Sequence, residues 1–256
     1  MMRPLGNGLA LAFQFFSVIP VKKELSMEKK DITAMYAALP FLGLLFGSAA
    51  ALIVFLLKDY TDTGSLFAAF LVVLVSAVGT GGLHLDGLAD VGDAYFSYRD
   101  REKRFEIMAD PRIGAFGTMV LLFTVVGKII LISEIIYEIP LLVIVLIPFL
   151  SRTGLLVLFT TLDSAKNTGI AFFFQNKAHK QSLVAAAAIY MAIAFSCLVW
   201  AAGWQAAFLI SFVFLLTLWL YRNWCKRNFG GATGDLFGAY IEGAEWLLWA
   251  SLLFFI

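Results

Sequence analysis

The chain is 256 residues long, 61% hydrophobic and only 14% charged, with a mean hydropathy of +0.87 and a formal net charge of +1. A soluble domain is usually about 45–50% apolar and about 25% charged, so a soluble globular fold is excluded, and the near-neutral balance offers nothing to nucleic acid. Cys197 and Cys225 lie in or beside apolar runs, which argues against a disulfide framework or a cysteine metal site.

In chain order, Arg3 and the apolar stretch after it mimic a signal peptide. The stretch ends in Ile19-Pro20-Val21-Lys22-Lys23, without a small-residue cleavage site, and is expected to be retained. Residues 5–20 fall short of the ~20 apolar residues a span needs and are interrupted by Asn7 and Gln14, so an interfacial or re-entrant helix is expected. A charged loop over 21–33 precedes a span at 34–57, which contains Pro40 and a Gly43/Gly47 pair at the spacing of a helix-packing face. Further spans are expected at about 66–83, 112–136, 140–161, 182–202, 205–224 and 235–256. Asp110-Pro111 reads as the N-cap and first residue of the third, Pro140 opens the fourth, and Gly203 marks a turn between the fifth and sixth. Tyr98 to Met108, with Arg99, Arg101 and Arg104, reads as a charged helix at the water boundary, and residues 162–181 as a polar loop. The expected fold is all-α: a polytopic membrane helical bundle of about seven spans plus the N-terminal helix, forming one integral-membrane domain over 1–256. Most of the 19 Lys and Arg fall in loops on one side, whereas the opposite loops hold only Lys58. The positive-inside rule then turns the polar loops to the cytoplasm of a bacterial inner membrane.

The stretch Gly79-Thr-Gly-Gly-Leu-His84-Leu-Asp86-Gly-Leu-Ala-Asp90-Val-Gly-Asp93 carries the chemistry. On a helix, Asp86, Asp90 and Asp93 fall within an arc of roughly 60°. At ~6 Å and an effective dielectric of ~20, each like-charge pair repels by roughly 3 kcal/mol. A hard divalent cation offsets that repulsion, and Mg²⁺ favours a few carboxylates, retained waters and a substrate phosphate. The three aspartates are therefore candidate Mg²⁺ ligands for phosphoryl chemistry. A carboxylate or His84 would accept the proton of the attacking group, and the sequence does not choose between them. Downstream, Asp110 and Arg112 stand where a helix start and an arginine favour a phosphate. The turn Gly230-Gly231-Ala-Thr233-Gly-Asp235 is rich in backbone donors and reads as a flexible phosphate cradle. Lys166, Asn167 and Lys180 face the same side.

His84-Leu-Asp86-Gly-Leu-Ala-Asp90-x-x-Asp93, then Glu106-Ile-Met-Ala-Asp110-Pro-Arg112-Ile-Gly114-Ala-Phe-Gly117, then the turn at 230–235 with Glu242 and Glu245 following, resembles the adenosylcobinamide-GDP ribazoletransferase (cobalamin synthase) family over nearly the whole chain. The resemblance implies a multi-pass, Mg²⁺-dependent enzyme that joins α-ribazole, or its 5′-phosphate, to adenosylcobinamide-GDP and releases GMP. Self-association is left open.

Three residues stand inside expected spans. Arg152 would lie roughly 15 Å deep, and Glu242 and Glu245 roughly 10 and 15 Å deep. A lone charge at such depth costs about 3 kcal/mol or more. Arg152 is therefore expected either to pair with one of these glutamates or to reach a substrate phosphate. Lys128 and Glu134 are expected to be structural, and the many Phe and Trp residues lipid-facing or packing groups. Asp-Gly-x-Ala also resembles the CDP-alcohol phosphotransferases, whose signature continues with Arg where Asp90 stands here. An ion-coupled transporter is the third class, disfavoured because the acidic cluster sits at one boundary and no repeat is present.

Overall fold

The computed structural model describes residues 4–98 and 100–255, so the expectations that touch Arg3, Arg99 and Ile256 lie outside the described residues. The described chain is all-helical. Four of its helices are long and apolar enough to cross a membrane, or five if one bent pair counts as a span. Buried apolar residues from Leu11 to Leu252 form one continuous cluster.

The N-terminal helix α1 (Pro4–Phe16) is 13 residues long, roughly 20 Å and too short to cross a ~30 Å hydrocarbon layer. It lies along the start of α2 (Lys29–Tyr60), where Asn7 Nδ2 donates to Asp31 Oδ1 at 3.1 Å. The other Asp31 oxygen accepts from Glu28 N at 3.2 Å, so one buried carboxylate both starts α2 and fastens α1 to it. Gly43 and Gly47 then face α7 (Leu141–Thr161). A Cβ at Gly47 would stand 2.7 Å from Val145 O, so the two backbones touch and no larger side chain fits between them.

Helix α3 (Ser65–Gly79) is shorter than the span expected over 66–83. Past its C-cap Thr80, Gly81 and Gly82 both take positive φ, and the chain turns by 90° into α4 (Leu83–Ser97), which carries the aspartates. The charged helix α5 (Arg101–Ile107) follows. Its Arg104 is buried rather than solvated and donates to Tyr98 O and Asn228 O, each at 2.7 Å. Helix α6 (Ala115–Ile135) starts later than expected. Asp110 and Pro111 belong to the loop before it, and its N-cap is Gly114, which has no side chain to offer. The residues expected to be a polar loop after α7 contain a short apolar helix, α8 (Ile170–Lys177).

Helix α9 (Lys180–Phe229) has 50 residues, which would reach ~75 Å if straight. Gly203, at φ 83° and ψ 166°, breaks it. Both of its ends meet the C-terminal end of α7: Lys180 Nζ lies 3.3 Å from Asp163, and Arg222 Nη2 donates to Thr161 O at 3.0 Å. The two arms therefore fold back on each other, with Trp200, Trp204, Phe208 and Trp219 on an exposed apolar surface suited to lipid. Helix α10 (Gly234–Ser251) closes the bundle and ends in a 3₁₀ turn, Leu252–Phe255.

The polar connections sort to two ends. At one end Val18 N donates to Gly79 O (3.0 Å) and His179 N to Thr33 Oγ1 (2.9 Å), and the aspartates of α4 lie here. At the other, Tyr137 donates to Thr63 O at 2.9 Å and Lys58 to Tyr137 O. Replacing Gly47 by leucine should prise α2 from α7 and lower stability by about 1–3 kcal/mol, seen as a lower unfolding midpoint in detergent. Gly64→Ala should move the midpoint far less, because nothing lies within 4 Å of the added carbon and only the N-cap preference of α3 changes.

Candidate active site

Helices α4 and α10 cross at two glycines. A Cβ at Gly87 would stand 2.8 Å from Asp235 O, and one at Gly238 would stand 3.2 Å from His84 Cα. This crossing brings Asp235, at the first turn of α10, beside the α4 aspartates. Asp86 and Asp235 line one cavity of about 210 Å³. Asp86 also lines a more open cleft of about 550 Å³, together with Asp90, Thr80 and the Pro111–Ile113 loop. Asp86 thus stands in the wall between a mostly apolar chamber and a polar cleft. It is exposed, and Asp90 and Asp235 are half-buried. Among the described residues no lysine or arginine forms an ion pair with any of the three.

Asp93 has a different setting. It is buried, its Oδ2 accepts from Gly114 N at 2.6 Å and its Oδ1 from Gly117 N at 2.8 Å. The glycine N-cap of α6 has no oxygen of its own, so a carboxylate from α4 supplies it. Both oxygens of Asp93 are thereby taken up at a helix N-terminus that favours negative charge. Among the described residues no three His, Cys, Asp or Glu side chains converge to cage a metal ion. Asp86, Asp90 and Asp235 remain as hard oxygen donors, which fits an ion that takes one or two carboxylates and completes its shell with water and substrate phosphate.

The phosphate-binding residues expected from sequence scatter. Arg112 lies between two residues that line the cleft, with 86% of its side chain exposed, and makes a two-pronged contact to Asp110 at 2.9 and 2.7 Å. That contact holds the Asp110 carboxyl down at about 2, so the pair stays charged at neutral pH. The glycine turn is pinned rather than flexible. Ala232 exchanges backbone bonds with Asp163 O and Ala165 N, both at 2.8 Å, and Gly231 is buried against that segment. Thr233 caps α10, accepting from Leu236 N at 3.3 Å. Lys166 lies over the Phe105 ring, and Lys180 pairs with Asp163.

Arg152 is 3% exposed and donates to Glu245 and to Ser151 Oγ, the latter at 3.0 Å. Lys128 completes the network, 2.6 Å from Glu242 and 3.2 Å from Glu245. Two cations and two carboxylates thus cancel inside the bundle, and Arg152 is spent on Glu245 rather than presented to the cleft. In the sequence Lys128 stands apart from this group. The only signal for it was a lone cation in an apolar run, with no indication of which face it takes. His84, 5% exposed, lines the 210 Å³ cavity and also shares a small void with Arg152, and its Nδ1 has no hydrogen-bond partner.

The architecture is that of an all-helical, multi-pass membrane protein with a carboxylate site at one end of its bundle. Residues 8–253 match the model of the CobS family, described as Cobalamin-5-phosphate synthase, and the chain belongs to that family. It is 36% identical over 252 residues to an adenosylcobinamide-GDP ribazoletransferase of Geobacillus thermodenitrificans (strain NG80-2), covering 97% of this chain and 95% of that one. It is 32% identical over 253 residues to the same-named protein of Geobacillus sp. (strain WCH70), covering 98% and 97%. With that of Clostridium tetani (strain Massachusetts / E88) it shares 35% over 238 residues, covering 92% and 91%. No solved structure matches the chain.

Glu245→Gln should leave a buried cation unmatched and cost about 3–5 kcal/mol of stability. Removing Lys128 and Glu242 together, as Lys128→Met with Glu242→Gln, should cost less than Glu242→Gln alone, because charge balance is kept. Thermal unfolding of the detergent-solubilised variants reads both.

Proposed function

We propose that this chain joins α-ribazole, or its 5′-phosphate, to adenosylcobinamide-GDP with release of GMP, at the end of cobalamin synthesis. Family membership supports the reaction, and one observation carries the site: Asp86 is common to the apolar chamber and the polar cleft. An acceptor in the chamber and a diphosphate in the cleft would meet at that residue. A ribose hydroxyl that is free in both acceptors, and so not the 5′-oxygen, bonds through its oxygen to the cobinamide-side phosphorus, its proton passes to a carboxylate, the bridging P–O bond breaks, and GMP leaves with the electron pair.

One or two of Asp86, Asp90 and Asp235 would hold Mg²⁺, which when bound neutralises diphosphate charge. Asp93 acts at one remove: by capping α6 it fixes the register of α4. Arg112, steadied by Asp110, meets a phosphate at the rim. A carboxylate at the mouth of the chamber, Asp86 or Asp235, takes the hydroxyl proton. His84 is poorly suited to that role, because a proton on it would face the Arg152 guanidinium across their shared void.

In the membrane, α2, α3, α6, α7, the two arms of α9 and α10 make seven crossings of the bacterial inner membrane, with the site facing the cytoplasm. The asymmetry of basic residues supports that orientation. A single cysteine at Asp62, in a chain freed of Cys197 and Cys225, should react with an impermeant thiol reagent applied to intact cells. One at Asn167 should react only after permeabilisation.

Purified protein in detergent or lipid, given adenosylcobinamide-GDP, α-ribazole and Mg²⁺, should release GMP and form the cobamide. Asp86→Ala or Asp90→Ala should lower turnover by about 10²-fold or more, and chelation should abolish it until Mg²⁺ is returned. Turnover of CDP-diacylglycerol in place of the corrinoid would overturn the assignment.

A further inference from the structure

The 210 Å³ chamber has a lining that phosphate chemistry does not call for. Its walls are Phe15 and Phe16 of α1, Tyr36 of α2, Phe174 of α8 and Phe237 of α10, with polar groups at the Tyr36 hydroxyl and where α4 and α10 meet it. The aromatic walls are braced from behind. Tyr36 stacks on Phe159 at 3.7 Å and meets Phe174 edge-on at 5.9 Å, and Phe174 meets Phe15 edge-on at 5.3 Å. Tyr36, Phe174 and Phe237 are all buried. The chamber is smaller than the ~300–1,000 Å³ of a drug-sized site, so one ring system fits and a corrin or a whole nucleotide does not.

Polarity narrows the occupant further. A guanine edge carries several donors and acceptors, and these walls would leave most of them unpaired at a cost in binding. A benzimidazole-type base linked to ribose through one ring nitrogen has a single free acceptor, its other ring nitrogen. The chamber offers a matching donor in Tyr36, a lining residue whose ring carries a hydroxyl. At the wall formed by α4 and α10, Asp86 and Asp235 stand where a ribose would emerge.

We propose that this chamber is the acceptor subsite, holding the flat, uncharged aromatic base of the nucleoside between Tyr36, Phe174 and Phe237, so that its volume sets which base is accepted. The proposal rests on the transferase reading for the identity of the acceptor. Helix α8 closes one side through Ile170 and Ala171, which makes this short helix the specificity element and explains an apolar helix inside an otherwise polar connection.

The test fills or widens the chamber without touching the carboxylates. Ala171→Trp should raise the KM for α-ribazole by about tenfold or more while the KM for adenosylcobinamide-GDP stays unchanged. It should also abolish binding of α-ribazole alone, read from the fluorescence of its benzimidazole with the full-length protein in detergent. Phe174→Ala should shift preference toward bulkier bases. Should Ala171→Trp unfold, Ala171→Leu gives the same readout with a smaller intrusion. An unchanged acceptor KM in a folded Ala171→Trp protein, or a rise in the donor KM instead, would overturn the proposal. If unmodified protein binds α-ribazole but releases no GMP, and Ala171→Trp still blocks that binding, the transferase reading falls while the subsite stands.

Discussion

The site depends on how closely two helix backbones approach. Gly87 lies against the Asp235 backbone and Gly238 against that of His84, so α4 and α10 cross without side chains between them. Among apolar membrane helices there is little hydrophobic drive for association, and close backbone packing at small residues supplies it instead. Because the contact falls at the first turn of α10, it also adds a fourth aspartate to the neighbourhood of the three on α4. Any side chain larger than hydrogen at Gly87 would push Asp235 away from Asp86.

Two further devices hold that crossing in place. Asp93 reaches over to the amides of Gly114 and Gly117 and so fixes α4 against α6, replacing the cap that the glycine at the start of α6 lacks. Deeper in the bundle, Lys128 of α6, Arg152 of α7 and Glu242 and Glu245 of α10 join three helices through one neutral network. In a medium of low dielectric such groups persist only when matched, so the network tolerates one relative arrangement of those helices. The result is a carboxylate cluster for which no ion pair is found among the described residues, above a buried network whose own charges are balanced. That excess of negative charge is what a bound cation would offset, and an anionic diphosphate could then approach.

The apolar chamber beside the cluster separates two jobs that one open groove would mix. Aromatic walls hold a base without contributing to phosphate affinity, whereas the cleft on the other side of Asp86 is polar and open. Binding energy collected on the base can then be used to orient the reacting hydroxyl. The same separation gives α1 and α8, which are too short to cross a membrane, a purpose as walls of a site.

Much of this was legible in the order of residues. Hydropathy and the lack of charge determined an all-helical membrane protein. The loop charges grouped the basic connections at one end, the 4,3 spacing put the aspartates on one helix, and Gly203 marked the fold-back of α9. These properties are local, or sum over short windows, so the chain alone specifies them. What only the tertiary structure decided concerns partners far apart in sequence. Asp93 looked equivalent to Asp86 and Asp90, because helical phase cannot reveal that bare amides 21 and 24 residues away would take both its oxygens. Lys128 looked isolated until α6 met α10. Asp235 looked like part of a phosphate cradle until the Gly87 crossing set it beside Asp86, and the glycine turn that read as flexible is stitched to residues 163–165. Side-chain periodicity fixes the face of a helix, but which neighbour meets that face is settled only by packing.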